Sequence, residues 1–225
     1  EIGSICSEFG IWLHVDAAMA GSAAICPEYR FIHKGMEFAN SYCFNPHKFL
    51  LTNFDCSCFY VSDRDALIES LSITPEYLKN KASESNSVFD YRDWQIPLGR
   101  RFRSLKLWIV IRHYGIKGMQ AHIRQHIESA KALTEEINKD NRFELMAPTV
   151  INLVCFRYKG SDKFNEALVQ RLNNSGKLYV IHTKLNNKYT IRFSIGQTKT
   201  TWDHVIKAWG LILQETEALE KEKIS

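Results

Sequence analysis

The sequence predicts an α/β protein in two parts, and three observations support this. Short apolar runs in the first half end at Asp or Asn-Pro, as buried strands do. From about residue 101, apolar side chains recur every three or four positions, the period of an amphipathic helix. Beyond residue 140, strand-like and helix-like segments are mixed. We therefore expect the strand-rich part of an α/β layer over residues 1–110 and a small α+β domain over residues 111–225.

The expected elements follow this pattern along the chain. A helix begins near Asp63, and Gly115 and Gly118 separate a helix over about residues 101–114 from one that continues to about Lys139. The predicted strands are Ile11–Val15, Phe38–Phe44, Cys56–Val61, Val150–Tyr158, Leu178–Thr183 and Tyr189–Ile195, and the later helices are Asp162–Asn174 and Thr201–Leu219.

A polar segment runs from Ile73 to Trp94 between the two parts. It is long for a passive connection and is rich in Ser, Asn and Lys. Loops of this length in compact proteins often close over a ligand site. We expect this segment to be a lid.

The composition restricts the class of function. The net charge of +4 comes from interspersed charges of both signs, which argues against a dedicated nucleic-acid binder. No apolar run approaches the roughly 20 residues that a membrane-spanning helix needs. The six cysteines are scattered and form no CxxC pair, which predicts free thiols in a reducing compartment. We therefore expect a cytoplasmic protein that binds neither membrane nor nucleic acid.

Asp16 stands at the carboxyl end of the first predicted strand and is followed by Ala17 and Ala18. Ligands of open α/β sheets bind at this edge. A carboxylate beside residues small enough to admit a flat ring suits a protonated heteroaromatic nitrogen. Taken alone, Asp16 is equally well explained as the cap of the next turn.

Lys48 follows about thirty residues later, after another predicted strand and a proline turn. Its apolar sequence neighbours predict a setting that disfavours the ammonium form and leaves a nucleophilic amine. The alternative is a lysine that extends to solvent from a strand end. An Asp for a pyridine nitrogen and a Schiff-base Lys are together what a pyridoxal phosphate enzyme requires.

Longer motifs surround this pair in a fixed order: His14–Ala18, Gly21–Ser22, Cys26–Glu28, Asn45–Lys48, Asn53–Cys56 and Asp93–Arg103. Together they resemble group II pyridoxal phosphate decarboxylases. Within that group the chain is most similar to the aromatic-L-amino-acid decarboxylase branch, which includes the dopa, tyrosine, tryptophan and histidine decarboxylases. The resemblance extends over essentially all 225 residues.

The resemblance implies a fold-type-I architecture, like that of aspartate aminotransferase, with pyridoxal 5'-phosphate as cofactor and no metal. It implies a homodimer with sites at the subunit interface and an aromatic amino acid as substrate. On this basis residues 1–110 are part of the large cofactor domain, and residues 111–225 are the small C-terminal domain. We expect the chain to be a C-terminal half, either a fragment or one piece of a split enzyme.

The resemblance also implies residue roles, which we carry over motif by motif. Asp16 would pair with the pyridine nitrogen and Lys48 would hold the cofactor covalently. The remaining roles are Ala18 against the ring face, Asn45 and His47 at the phosphate, Leu98 and Gly99 at the partner subunit's site, Tyr77 as proton donor on the mobile loop, and Arg192 at the substrate carboxylate.

Other functions remain open at this stage. Relatives that are aromatic aldehyde synthases tend to carry Phe where this chain has Tyr77, so the tyrosine favours a decarboxylase. Decarboxylases of glutamate, aspartate or diaminobutyrate share the cofactor scheme but match residues 94–103 less well. A non-catalytic fragment is the alternative from a different class.

Two weaker patterns are interpreted as structural. His122 and His126 have a spacing that can hold a metal on a helix, but no third ligand accompanies them. A basic cluster, Arg100, Arg101, Arg103 and Lys106, is interleaved with apolar residues. This pattern favours a salt-bridged helix over a phosphate or nucleic-acid site.

Overall fold

A computed structural model of the chain describes residues 1–72 and 90–224. The chain forms two compact units, Glu1–Gly115 and Ile116–Ser225. The assignment of residues 1–110 and 111–225 to a cofactor domain and a small domain stays a prediction, because a division by geometry does not report cofactor binding. None of the helices described is long and apolar enough to cross a membrane.

The first unit contains a three-stranded sheet in the order β1-β2-β3. Strands β1 and β2 are parallel, and β3 is antiparallel to β2. Parallel neighbours bring their carboxyl ends to one edge, so the residues after β1 and β2 meet there. The elements of this unit are α1 (Ile2–Glu8), β1 (His14–Asp16), β2 (Ser41–Phe44), α2 (Pro46–Phe49), β3 (Cys58–Val61) and α3 (Arg64–Leu71).

The connection from β1 to β2 consists of three 3-10 helices, Ala20–Ile25, Pro27–His33 and Met36–Phe38. Pro27 starts the second of them, and Gly35, with φ 89°, separates the last two. A glycine is also required at position 21, because a Cβ there would lie 2.7 Å from the Cβ of Phe44. The missing side chain lets the turn after β1 pack closely against β2.

The prediction of a buried strand over Ile11–Val15 is wrong. Ile11 and Trp12 are about half exposed, and the strand itself is His14–Asp16 with both ends exposed. The physical reason is that β1 is an edge strand in the part of the chain that the structure describes. Only one of its sides is paired, so its apolar residues are only partly covered.

A long helix, α4 (Arg103–Lys139), leads into the second unit. Gly115 has φ 63° and ψ 172°, so the helix is interrupted there. Glycine reaches this left-handed region at little cost. The predicted boundary near Gly115 is therefore found as a break in the helix.

The second unit is an antiparallel sheet in the order β4-β5-β7-β6 with helices packed on it. Its core contains Phe156, Leu168, Ile191 and Ile212, which are fully buried, and Trp209, whose ring lies 5.0 Å from that of Phe143. The elements that follow α4 are β4 (Phe143–Leu145), β5 (Leu153–Tyr158), α5 (Asp162–Asn174), β6 (Ile181–Leu185), β7 (Lys188–Ser194) and α6 (Trp202–Ile224).

Candidate active site

The segments that follow β1 and β2 are joined by backbone hydrogen bonds. Asp16 pairs in register with Cys43. The amide of Ala17 donates to the carbonyl of Cys43 at 2.9 Å, and the amide of Asn45 donates to the carbonyl of Ala18 at 3.0 Å. The structure thus brings the Asp16 motif and the Asn45–Lys48 motif to the same sheet edge.

The Asp16 carboxylate is held through one of its two oxygens. Oδ1 accepts the Ala18 amide at 2.9 Å and the Cys43 thiol at 3.5 Å. Oδ2 accepts no hydrogen bond from residues 1–72 and 90–224. The pKa of Asp16 is lowered, chiefly by the Ala18 amide and then by Cys43, with smaller contributions from the charges of Lys48 and His14. Asp16 is therefore an ionised carboxylate with one oxygen open to a ligand.

Lys48 lies on α2, a one-turn helix whose other residues pack partly into the core. Phe49 is fully buried and Leu50 nearly so, while Lys48 is exposed. The prediction that apolar neighbours enclose Lys48 is therefore wrong in the residues described, because those neighbours are directed into the core. The next residue, Leu51, has φ 57°, a conformation that costs a non-glycine residue about 1 kcal/mol or more.

His47 is oriented by the backbone of Cys56. Its Nδ1 lies 3.0 Å from the Cys56 amide, which can donate to it, and 2.7 Å from the Cys56 carbonyl oxygen. The ring also packs edge-on against Phe54, with centroids 5.0 Å apart. When Nδ1 accepts from the amide, Nε2 carries the proton and can donate to an anion such as phosphate.

Asn45 is fixed by a hydroxyl group from the approach to β3. Ser57 Oγ donates to Asn45 Oδ1 at 2.6 Å. Because the carbonyl oxygen is engaged, the amide group can direct its two N–H donors elsewhere. Asn45 thus offers N–H groups close to Lys48, and so does His47 in the tautomer that carries its proton on Nε2, as a phosphate site requires.

Asp55 is a structural residue of this region for which the sequence predicted no role. It pairs with Arg101 and, at 2.9 Å, with Arg103. These pairs lower the pKa of Asp55 to about 2, with the Arg103 hydrogen bond as the main cause. The predicted salt-bridging role is confirmed for Arg101 and Arg103, although Arg101 precedes the helix. The sequence feature that could have indicated this ion pair is an acidic residue in the Asn53–Cys56 motif together with two arginines in the Asp93–Arg103 motif.

Other predicted site residues are not joined to this group. Leu98 is 69% exposed, and Gly99 lies beside it in the same exposed segment. No hydrogen bond links either one to Asp16 or Lys48 in the described part of the unit. Tyr77 and most of the predicted lid lie outside the described residues. Their roles stay predictions.

Arg192 lies in the second unit, on β7, opposite Cys155 and Ile181. It is half-buried and lines a cavity of about 730 Å³. Lys177, His204 and Lys207 also line the cavity, and none of the described residues that line it is acidic. The surroundings of Arg192 are therefore cationic, which suits a carboxylate. Its role in substrate binding stays a prediction.

His122 and His126 pack against each other, with ring centroids 4.2 Å apart. Burial is the main cause of the lowered pKa of both, and the pKa of His122 falls to about 4. His126 Nε2 lies 3.2 Å from the carbonyl oxygen of Thr200. Within residues 1–72 and 90–224, no three His, Cys, Asp or Glu side chains gather as metal ligands do.

The groups at the sheet edge fit pyridoxal phosphate chemically. Asp16 offers a free carboxylate oxygen for a protonated ring nitrogen, and Lys48 offers an exposed amine for an aldehyde. Asn45 retains N–H donors for a phosphate, and His47 retains one in the tautomer whose Nδ1 accepts from the Cys56 amide. Ala18 adds little bulk beside them. Carboxylate, amine and N–H donors are the three kinds of group that this cofactor requires.

Comparison with known proteins identifies the family. The model of the pyridoxal-dependent decarboxylase conserved domain matches residues 1–159. The chain belongs to this family. The family predicted from the motifs is thereby confirmed, and so is the pyridoxal cofactor that defines it.

The chain is also similar to individual curated proteins. The chain is 48% identical to aromatic-L-amino-acid decarboxylase of Rattus norvegicus over 209 residues, which are 93% of this chain and 44% of the relative. It is 49% identical to phenylacetaldehyde synthase of Arabidopsis thaliana over 225 residues, which cover 97% of this chain and 46% of that protein. The chain thus spans less than half the length of the curated relatives it matches.

Solved structures support the same fold. The crystal structure of Catharanthus roseus tryptophan decarboxylase in complex with L-tryptophan superimposes with a TM-score of 0.87 at 43% identity. The match covers 97% of this chain and 47% of the other. The predicted fold-type-I α/β architecture is therefore confirmed for this pyridoxal-dependent decarboxylase chain.

Proposed function

We propose that this chain contributes the lysine and carboxylate of an enzyme that decarboxylates an aromatic L-amino acid to its amine and carbon dioxide. The main support is the position of Asp16 and Lys48 at one sheet edge, where the Lys48 charge helps to lower the pKa of Asp16. The similarity to the aromatic-L-amino-acid and tryptophan decarboxylases supports the substrate class. Asp16 offers a carboxylate for a protonated pyridine nitrogen, and Lys48 offers an amine for an aldehyde.

Pyridoxal phosphate, when bound, supplies a ring that accepts the electron pair left by the departing carboxylate. The residues of the chain bind and orient. Asp16 would hold a proton at the ring nitrogen through Oδ2, and Lys48 Nζ would hold the cofactor through its aldehyde. Asn45 and His47 would hold the phosphate through N–H donors, and Ala18 would pack against the ring face.

Three further roles belong to the proposal. Tyr77 would deliver a proton to the substrate Cα, and the segment around it would exclude water and oxygen. Arg192 would bind the substrate carboxylate, and its cationic cavity supports this. Leu98 and Gly99 would contact the site of a second copy.

We also propose that the enzyme is a homodimer and acts in the cytoplasm. Ile96, Leu98 and Phe102 are 87%, 69% and 76% exposed, and such an apolar segment suits a contact with another chain. The six cysteines form no disulfide within the residues that the structure describes, and three of them are buried: Cys26, Cys56 and Cys155. Free thiols suit a reducing compartment.

An aromatic aldehyde synthase is a second candidate, because the chain is 49% identical to a phenylacetaldehyde synthase. Such an enzyme oxidatively deaminates its substrate in addition to decarboxylating it. Oxygen is consumed, and the products are aldehyde, ammonia, carbon dioxide and peroxide. The two candidates therefore differ in whether the amine is the final product.

A product assay tests the proposal and separates the two candidates. The chain would be assayed alone and joined to the portion of Catharanthus roseus tryptophan decarboxylase that it does not match. Tyr, Trp, dopa, Phe, His and Glu would be offered, and amine and aldehyde quantified by mass spectrometry. We expect amine from at least one aromatic substrate in the joined protein and negligible turnover by the chain alone.

The joined protein with Lys48→Ala is the matched control and should form no product. A folded joined protein that binds pyridoxal phosphate yet converts only Glu would contradict the substrate class. Aldehyde in place of amine would favour the synthase.

A further inference from the structure

We propose that Cys43 is a positioning residue, whose thiol fixes the Asp16 carboxylate so that Oδ2 faces the ligand. This inference deepens the proposed function and rests on it for its catalytic meaning. The contact itself is independent of any cofactor. Cys43 lies directly opposite Asp16 in the β1–β2 register, and its Sγ donates to Asp16 Oδ1 at 3.5 Å.

Cys43 is one member of a hydrogen-bond chain that crosses the sheet edge. The Trp12 indole donates to Ser41 Oγ at 2.9 Å. Ser41 Oγ lies 2.8 Å from His14 Nδ1, and His14 Nε2 lies 3.9 Å from Cys43 Sγ. Ser41 Oγ accepts from the indole and is shared with His14, so side chains of β1 and β2 are linked at this edge.

The Cys43 thiol is the donor in its contact with Asp16, because an ionised carboxylate oxygen can only accept a hydrogen bond. Burial raises the pKa of Cys43, and the neighbouring Asp16 raises it further. The thiol therefore keeps its proton at neutral pH and does not act as a nucleophile.

Cys43 lies close to Phe59, His14 and Asp16. Phe59 stands opposite Cys43 across the β2–β3 pair, and the His14 ring lies 6.1 Å from that of Phe59. The charged groups that act on Asp16 are Lys48 and His14. Oδ1 receives two donors from the protein and Oδ2 none in the described part of the chain. The thiol thus selects which oxygen of Asp16 is presented.

The test measures the Asp16 carboxyl directly, without cofactor. The pKa of Asp16 would be followed by carbon-detected NMR titration in the wild-type chain and in the Cys43→Ala and Cys43→Ser variants. Loss of a donor to the charged form should raise the pKa of Asp16 in Cys43→Ala. Cys43→Ser restores a donor and should return the pKa to the wild-type value or below it.

Cys58→Ala is the matched control. Cys58 is also a half-buried cysteine of the sheet and lies on β3, opposite Phe44 of β2. Its replacement by Ala should leave the Asp16 titration unchanged. An unchanged Asp16 pKa in Cys43→Ala, or an equal rise in Cys43→Ser, would overturn the proposal.

A reciprocal measurement covers the case in which Cys43→Ala does not fold. Removing the Asp16 charge with Asp16→Asn should lower the pKa of Cys43, so iodoacetamide should label Cys43 several-fold faster at fixed pH. Cys58 labelling gives the internal reference, and equal Cys43 rates in both proteins would contradict the contact. If both tests succeed while pyridoxal phosphate does not bind, the proposed function fails and the positioning contact stands.

Discussion

Arg103 places both Nε and Nη2 on one oxygen of Asp55, at 3.0 and 2.9 Å. This pair links the start of α4 to the turn that precedes β3. Cys56, the residue after Asp55, supplies the backbone groups that orient the His47 ring. The ion pair therefore helps to fix the backbone of Cys56, which in turn orients His47 of the candidate phosphate site.

Asp55→Asn should loosen that turn and lower the thermal midpoint of the chain by several degrees. The loss is expected because Arg101 and Arg103 would share a neutral amide in place of a carboxylate. Circular dichroism on heating measures the midpoint. Asp65→Asn is the control, because Asp65 pairs with Arg64 at an exposed position, where such pairs contribute little. Equal midpoints for the two variants would show that the Asp55 pair has no structural effect.

The sequence predicted the elements of the second unit well because their periodicity is strong. Asp162–Asn174 was predicted with the bounds it has, and its Ser161 cap accepts the Phe164 amide at 3.2 Å. Strand ends moved by up to three residues, as from Val150 to Leu153 at the start of β5. The three-residue strand Phe143–Leu145 was missed, since so short a run has no measurable alternation.

The sequence indicated the residue types of the candidate site but not their geometry. Asp16 and Lys48 lie near each other because β1 and β2 are parallel, and no local pattern specifies that pairing. The contact between Cys43 and Asp16 depends on register, which a one-residue shift would abolish. Lys48 was predicted to lie in an apolar setting, but it is exposed. The apolar residues next to it in sequence face the core of the unit and do not enclose it.

The pair His122 and His126 should make the chain less stable in mild acid. The folded-state pKa of His122, about 4, lies below its ordinary value of 6.5. Between these values the unfolded chain binds a proton that the folded chain excludes, so stability is lost as pH falls from 6.5 to 4. Urea unfolding at several pH values should show a loss of about 1–2 kcal/mol, allowing for the partial exposure of His122.

His122→Gln should flatten that pH dependence, whereas His182→Gln, at an exposed position, should not. A slope that is unchanged in His122→Gln would mean that other groups cause the acid sensitivity.

Tyr77→Phe should shift the products from amine toward aldehyde in the joined protein. Without the phenol, proton delivery to Cα slows, and oxygen competes for the same carbon. The ratio of amine to aldehyde, with peroxide as a second product, is the measurement, and Tyr91→Phe at the exposed end of the same connection is the control. An unchanged ratio with unchanged rate would place the proton donor elsewhere.

Covalent mapping of the cofactor tests the central claim, that Lys48 holds pyridoxal phosphate at the Asp16 edge. The chain would be incubated with pyridoxal phosphate, reduced with borohydride, digested and analysed by mass spectrometry for the modified lysine. Lys34→Ala, which removes an exposed lysine of the same unit, is the control for Lys48→Ala. We predict that the adduct is concentrated on Lys48 and is lost only in Lys48→Ala. An adduct spread evenly over surface lysines, or concentrated elsewhere with Lys48 unmodified, would contradict the claim.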